Sequence, residues 1–144
     1  MQLHPDVRCA IRSEVNILIS GACAETRRSA ARLIHEWTNP RGAPFLVVGS
    51  SANGRPQLRR VRDLVKRSER STVFIEEVAE LDPSTQKGLL QLVRGKADAA
   101  VRIIASTGID LFQRVKVASF RADLFYRLNT IHLELEARPM LVHG

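Results

Sequence analysis

Cysteine, histidine and aromatic residues are all sparse in this 144-residue chain, and each scarcity removes a class of chemistry. Cys9 and Cys23 stand far apart with no Cys-x-x-Cys spacing, which argues against a disulfide scaffold or a thiolate zinc site and suits a reducing compartment. The four histidines, His4, His35, His132 and His143, are scattered and offer no metal-ligand spacing. Aromatic residues make up 5% of the chain, and none falls among the densest basic residues, as a stacking platform for single strands requires. No apolar run approaches transmembrane length, and Met1-Gln2-Leu3-His4-Pro5-Asp6 lacks the apolar core of a signal peptide. The expectation is a cytoplasmic protein away from any membrane.

What is present is a single domain's worth of chain, with 44% apolar and 26% charged residues, enough to bury a core. The net charge is +7 and is carried mostly by arginine, which fits nucleic acid, an acidic protein partner, or a bias of codon usage. The densest run is Arg55-Pro56-Gln57-Leu58-Arg59-Arg60-Val61-Arg62-Asp63-Leu64-Val65-Lys66-Arg67. Leu58, Val61, Leu64 and Val65 fall at helical spacing, so the basic residues form the wet side of an amphipathic helix.

Short apolar runs alternate with helical stretches. Strands are expected at 15–20, 45–48 (closed by Gly49-Ser50-Ser51), 71–78, 101–107 and 130–135, the last alternating and hence at an edge. Ala30, Leu33, Ile34 and Trp37 predict a helix ending near Asn39-Pro40; others follow Pro83, stopping at Gly95, and cover 120–128. Continuous apolar strands separated by helices predict an α/β fold, a parallel sheet covered on both faces.

Two segments carry the chemistry. The strand at 15–20 runs into Gly21-Ala22-Cys23-Ala24-Glu25-Thr26-Arg27-Arg28, where a phosphate-cradling pattern Gly-x-x-x-x-Gly-Lys-Ser/Thr can be laid. Only the first glycine survives. Thr26 stands at the second glycine and Arg27 at the lysine that reaches the terminal phosphates, and arginine is not a conservative replacement there. Glu25 adds a carboxylate that repels a triphosphate or itself takes the anion position in the first helical turn. Cys23, before a helix N-terminus with Arg27 and Arg28 near, is read either as a thiol of lowered pKa or as a small residue standing for a serine. Downstream, Ser71-Thr72-Val73-Phe74-Ile75-Glu76-Glu77-Val78 ends in the paired carboxylates that in such folds position magnesium and polarise water.

These blocks, with Ala31-Arg32-Leu33-Ile34-His35-Glu36, Gln86-Lys87-Gly88-Leu89-Leu90, Arg102-Ile103-Ile104-Ala105-Ser106-Thr107 and Phe120-Arg121-Ala122-Asp123-Leu124-Phe125-Tyr126-Arg127-Leu128, resemble the central AAA+ domain of sigma-54-dependent transcriptional activators. The likeness covers roughly residues 15 to 135. It implies a P-loop NTPase (AAA+) core of five parallel strands with helices on both faces, at 15–136, between an N-terminal extension, 1–14, and a tail, 137–144. It also implies roles. The loop, Gly21 to Arg28, would bind nucleotide; Glu77 matches the catalytic, water-polarising glutamate; Glu76 takes the place of the magnesium-linked aspartate, one methylene longer. Thr107 matches the sensor threonine, with Gly108 replacing the asparagine beside it. Arg121 and Arg127 match arginines that reach a neighbouring subunit's nucleotide, the alternative for both being a salt bridge to Asp123. ATP and Mg2+ are the implied cofactors. The implied partners are further copies or related AAA+ subunits and the sigma-54 RNA polymerase, with DNA contact left to other domains.

Three departures shape the expected function. The loop lacks its lysine and second glycine, the interval from Val48 to Thr72 leaves no room for the family's GAFTGA insertion, and Leu135-Glu136-Ala137-Arg138-Pro139-Met140 replaces the lead-in to a helical lid. The leading expectation is a degenerate AAA+ domain acting through protein contacts, with Arg121 and Arg127 at an interface and hydrolysis impaired or lost. A weak ATPase using Arg27 and Glu77 is the enzymatic alternative. A basic nucleic-acid-binding module using Arg59, Arg60, Arg62, Lys66 and Arg67 is the third.

Overall fold

The computed structural model describes residues 15–49, 54–67, 69–95 and 100–136. Cys9, the extension 1–14, Ser50 and Ser51, and the tail 137–144 lie outside them. Five strands, β1 (Ile17–Gly21), β2 (Phe45–Val48), β3 (Ser71–Ile75), β4 (Val101–Thr107) and β5 (Ile131–Leu135), form one parallel sheet in the order β2-β3-β4-β1-β5. Between them run α1 (Ala24–Thr38), α2 (Gly54–Arg67), α3 (Pro83–Gly95), α4 (Leu111–Lys116) and α5 (Ala122–Leu128). The alternating strand 131–135 is at the edge, as its sequence predicts. No helix among the described residues is long and apolar enough to cross a membrane.

Successive strand residues point to opposite faces, and both faces are apolar because both are covered. Ile17, Ile19, Phe74, Ile104 and Leu133 face α1 and pack on its Ala31 and Ile34. Leu18, Val73, Ile75, Ile103 and Ala105 face the other way, onto Leu58, Val61 and Leu64 of α2, Leu89, Leu90 and Val93 of α3, and Leu124 and Leu128 of α5. Gln86 is buried among these helices: its amide donates to the carbonyls of Leu81 and Ser119 and accepts the backbone N–H of Arg121, tying α3 to the start of α5.

Several boundaries differ from the sequence expectation. Strand β3 stops at Ile75; Glu76 and Glu77 lie in the turn beyond it, and Val78–Glu80 forms a single 3-10 turn. The helix α4, six residues long, is too short to register as a period and was not expected. On α1 the buried stripe is Arg27, Ala31, Ile34 and His35, while Trp37 is 54% exposed. The stripe is displaced because two polar residues find partners inside.

His35 is one of them. Its Nε2 donates to the carbonyl of Ala43 at 3.0 Å, which leaves Nδ1 to accept from the hydroxyl of Thr72 at 2.7 Å. Burial lowers the ring's pKa below its usual 6.5, and the nearby Arg32 adds to this, against the carbonyl of Ala43 and Glu36. A depressed histidine pKa means the unfolded chain binds more protons, so stability falls as pH drops below about 6.5 and levels off once the folded ring is protonated. Urea melts between pH 5 and 7.5 are expected to show that slope, and His35→Gln to flatten it.

Candidate nucleotide-binding site

The chain turns from β1 into α1 in two left-handed residues, Gly21 (φ +82°) and Ala22 (φ +49°), followed by Cys23 in extended conformation as the helix N-cap. The helix then begins at Ala24, so of the eight residues laid on the phosphate pattern only two, Ala22 and Cys23, lie between strand and helix. Nothing after Gly21 interrupts helix formation: Ala24-Glu25-Thr26-Arg27-Arg28-Ser29-Ala30-Ala31 has neither glycine nor proline. The N–H of Arg27, in the place of the lysine, is bonded to the carbonyl of Cys23 at 3.0 Å. Glu25 is exposed on the helix surface rather than inside the turn.

Arg27 fills the concave side of this turn. It is 5% exposed. Its Nη1 donates to the carbonyls of Gly21 and Ala22, both at 3.0 Å, and its Nε donates to Ser106 Oγ at 2.7 Å, across to β4. Its Nη2 lies 4.0 Å from Glu77 Oε2. That carboxylate accepts the N–H of Gly108 at 2.8 Å through Oε2, and through Oε1 the N–H of Ala79 at 3.3 Å. One guanidinium and one carboxylate thus join the ends of β1, β3 and β4. A side chain added at Gly108 would begin 3.5 Å from Arg27 Nη2 and 3.6 Å from Glu77 Oε2, in ordinary contact with this pair.

The remaining expected residues are placed as follows. Glu76 pairs with Arg28 on the surface. Thr107 is buried at the end of β4, and its hydroxyl is turned to the backbone of Ile109. The Cys23 sulfur is 3.1 Å from the hydroxyl of Thr26; hydrogen bonds from that hydroxyl, then from the Thr26 backbone, lower the thiol's pKa. Arg121 makes the bidentate pair with Asp123 that the sequence offered as an alternative, both bonds at 3.0 Å, with Arg94 3.6 Å from the same carboxylate. Those bonds raise the arginine's pKa and lower that of Asp123. Arg127 makes no salt bridge to Asp123 among the described residues; it is exposed in the last turn of α5, and its backbone carbonyl accepts from Asn16. Among the described residues no three His, Cys, Asp or Glu converge to hold a metal.

Ser106 was missed in the sequence. Its signal is slight: it is the first small hydroxyl to break the apolar run at the end of β4. Beside the loop, a cavity of about 400 Å³ opens between the ends of β1 and β5 and the helices α4 and α5, with Ser20 Oγ 2.6 Å from His132 Nε2 on its wall. That wall carries the carboxylates of Asp110 and Glu134 with Phe112 and Phe125, and neither lysine nor arginine, so it does not suit phosphate.

A parallel five-stranded sheet whose first strand turns directly into a helix, with an acidic pair at the end of the third, defines the P-loop NTPase class of AAA+ architecture. The crystal structure of NtrX from Brucella abortus in complex with ADP matches with a TM-score of 0.72 over 91% of this chain and 35% of that one, at 22% identity, a likeness of fold. A model of the sigma-54 interaction domain matches residues 49–134, and the chain belongs to that family. Regulatory protein AtoC of Escherichia coli K12 is 29% identical over 94% of this chain and 35% of its own length. The sigma54-dependent transcriptional regulator SfnR of Pseudomonas fluorescens Pf0-1 is 27% identical over 85% of this chain and 41% of its own length. The chain therefore spans roughly two fifths or less of the curated relatives it matches.

Proposed function

We propose that this chain is a degenerate sigma-54-interaction domain of a bacterial transcriptional regulator, acting through protein contacts with ATP hydrolysis impaired or lost. The observation that carries the reading is Arg27, whose guanidinium donates to the carbonyls of Gly21 and Ala22 and so fills the concave side of the turn that a phosphate group would need. Triphosphate binding depends on loop N–H groups converging on the anion and a flexible ammonium reaching its far end. Here the loop is short, its lysine position is a buried arginine satisfied within the protein, and the Glu76 carboxylate is paired with Arg28. The residues present do not fit ATP and Mg2+. NtrX, which holds ADP, shows only that nucleotide is compatible with this fold.

The face of α4 and α5 supports the protein-contact half. Tyr126 (65% exposed) and Phe112 (40%) on these helices, with Val117 (71%) just past the end of α4, leave apolar surface open alongside the exposed Arg127. Aromatic residues and arginine are the types over-represented at protein interfaces. Arg121 is held by Asp123 and contributes less freely.

The test is a titration of the purified chain with a fluorescent ATP analogue, with and without Mg2+, run beside Arg27→Ala and coupled to sedimentation velocity. No saturable binding at millimolar nucleotide is expected, together with association of the chain with itself or with an active relative, independent of nucleotide. Saturable binding lost in Arg27→Ala, with turnover lost in Glu77→Gln, would establish the weak ATPase instead. A chain that stays monomeric in every mixture would end the contact reading.

A further inference from the structure

We propose that the outward face of α2 binds the phosphate backbone of double-stranded nucleic acid. The inference is independent of the nucleotide site. Leu58, Val61 and Leu64 are buried against the sheet and α3, with Val65 half-buried beside them. Arg59, Arg60, Arg62, Lys66 and Arg67 are all exposed. At about 100° per residue they occupy an arc of about 160° opposite the buried side, over about 12 Å of helix axis. The single carboxylate on that arc is Asp63.

A helix that only needs a wet side would mix its charges and pair them. On α1 the exposed Arg32 does so with Glu36, four residues on. On α2 no such ion pair forms among the described residues, although Asp63 lies three or four residues from Arg59, Arg60, Lys66 and Arg67. Instead, Arg59 with Arg62, and Arg62 with Lys66, place like charges at helical-neighbour spacing, which destabilises the helix. A concentrated one-signed field of this kind calls for an anion.

The geometry selects among anions. A protein partner would need an apolar centre to desolvate, and the apolar residues of α2 face inward. An anionic membrane would need the same residues to enter the lipid boundary. Single strands would need aromatic rings for the bases, and this face has none. A duplex needs only cations: it carries one phosphate charge per roughly 1.7 Å of axis, so the face spans about seven of them, and arginine's fork matches phosphate oxygens in pairs. Contacts of this type hold and orient without reading sequence.

The experiment is fluorescence anisotropy of the full chain with a labelled mixed-sequence duplex at 50 and 200 mM salt. Four phosphate contacts predict a fall in affinity of about 100-fold between those conditions. The triple variant Arg59→Glu, Arg62→Glu, Lys66→Glu should weaken binding at least tenfold and flatten the salt dependence, with its thermal melt unchanged. Arg41→Glu, Lys87→Glu, Lys116→Glu makes the same change in net charge at exposed residues outside α2 and should bind like the parent. The proposal fails if no binding is seen at 50 mM salt, if both triple variants lose binding equally, or if binding does not respond to salt. It also fails if poly-glutamate competes charge for charge as well as unlabelled duplex, which would assign the face to an acidic protein.

Discussion

Replacing Arg27 by alanine is expected to lower the stability of the folded chain by about 3 kcal/mol, seen as a drop of about 10 °C in Tm. The figure follows from what the side chain satisfies. Three hydrogen bonds from a charged donor are lost, to Ser106, Gly21 and Ala22. Such bonds contribute roughly 1.5–3 kcal/mol each at full burial, discounted here because water can enter beside the loop and re-satisfy the two carbonyls. Glu77 adds little to this total, since its side chain is 23% exposed and keeps the N–H groups of Gly108 and Ala79. Arg27→Lys would keep the charge but reach fewer of these acceptors, and should fall between the parent and alanine. A lysine or arginine whose main task is to reach a nucleotide would behave in the opposite way. Without ligand its removal would cost little or even stabilise, because like charges and unsatisfied donors would be relieved. Thermal or urea melts of the three chains, without nucleotide, decide between an arginine that belongs to the fold and one that waits for a ligand. An alanine variant as stable as the parent would remove the basis of the degenerate reading.

What the sequence disclosed, and what it withheld, divides along the range of the interactions. The sheet was legible because its strands are continuous apolar runs, as burial on both faces demands, and because β5 alone alternates, as an edge position allows. Glu76, Glu77, Thr107, Arg121 and Arg127 were named from the resemblance to the family. The state of the site did not follow. The helix start after Cys23, with Glu25 in its first turn, was legible, and the local helix formers from Ala24 onward leave only two residues between β1 and α1. The burial of Arg27 could not be read because its partner Ser106 is 79 residues away, nor that of His35 because Thr72 is 37 residues away. No local pattern encodes such pairings; they exist only once the sheet has brought the strand ends together. The Arg121 case is the reverse. Asp123 lies two residues on, and the alternative of a local salt bridge could be written down from the sequence. Whether a given cation on this chain faces solvent, a partner or the interior was therefore open from the sequence wherever its partner was distant.

Gly21→Ala tests the most confined point of the turn and is expected to cost at least about 3 kcal/mol, enough to leave much of the chain unfolded at 37 °C if its total stability is ordinary. Two terms add. The residue has φ +82°, where an L side chain is strained by about 1 kcal/mol. In addition, a Cβ built there would sit 2.1 Å from the carbonyl oxygen of Leu135 and 3.1 Å from its carbon, backbone atoms of the paired strand. Gly21 and Leu135 are register partners at the ends of β1 and β5, so the clash can be relieved only by moving the edge strand or by unwinding the turn that holds Arg27. Gly42 separates the two terms. It has φ +86° and nothing within 4 Å of the position a Cβ would take, so Gly42→Ala should cost only the conformational part, about 1 kcal/mol. Urea melts of both variants give the difference directly. Equal losses would mean that β5 yields freely at its end, and that the turn is held by the left-handed backbone alone. A larger loss at Gly21 would mean that the edge strand and the arginine-filled turn are one cooperative unit, so that whatever binds along β5 is felt at Arg27.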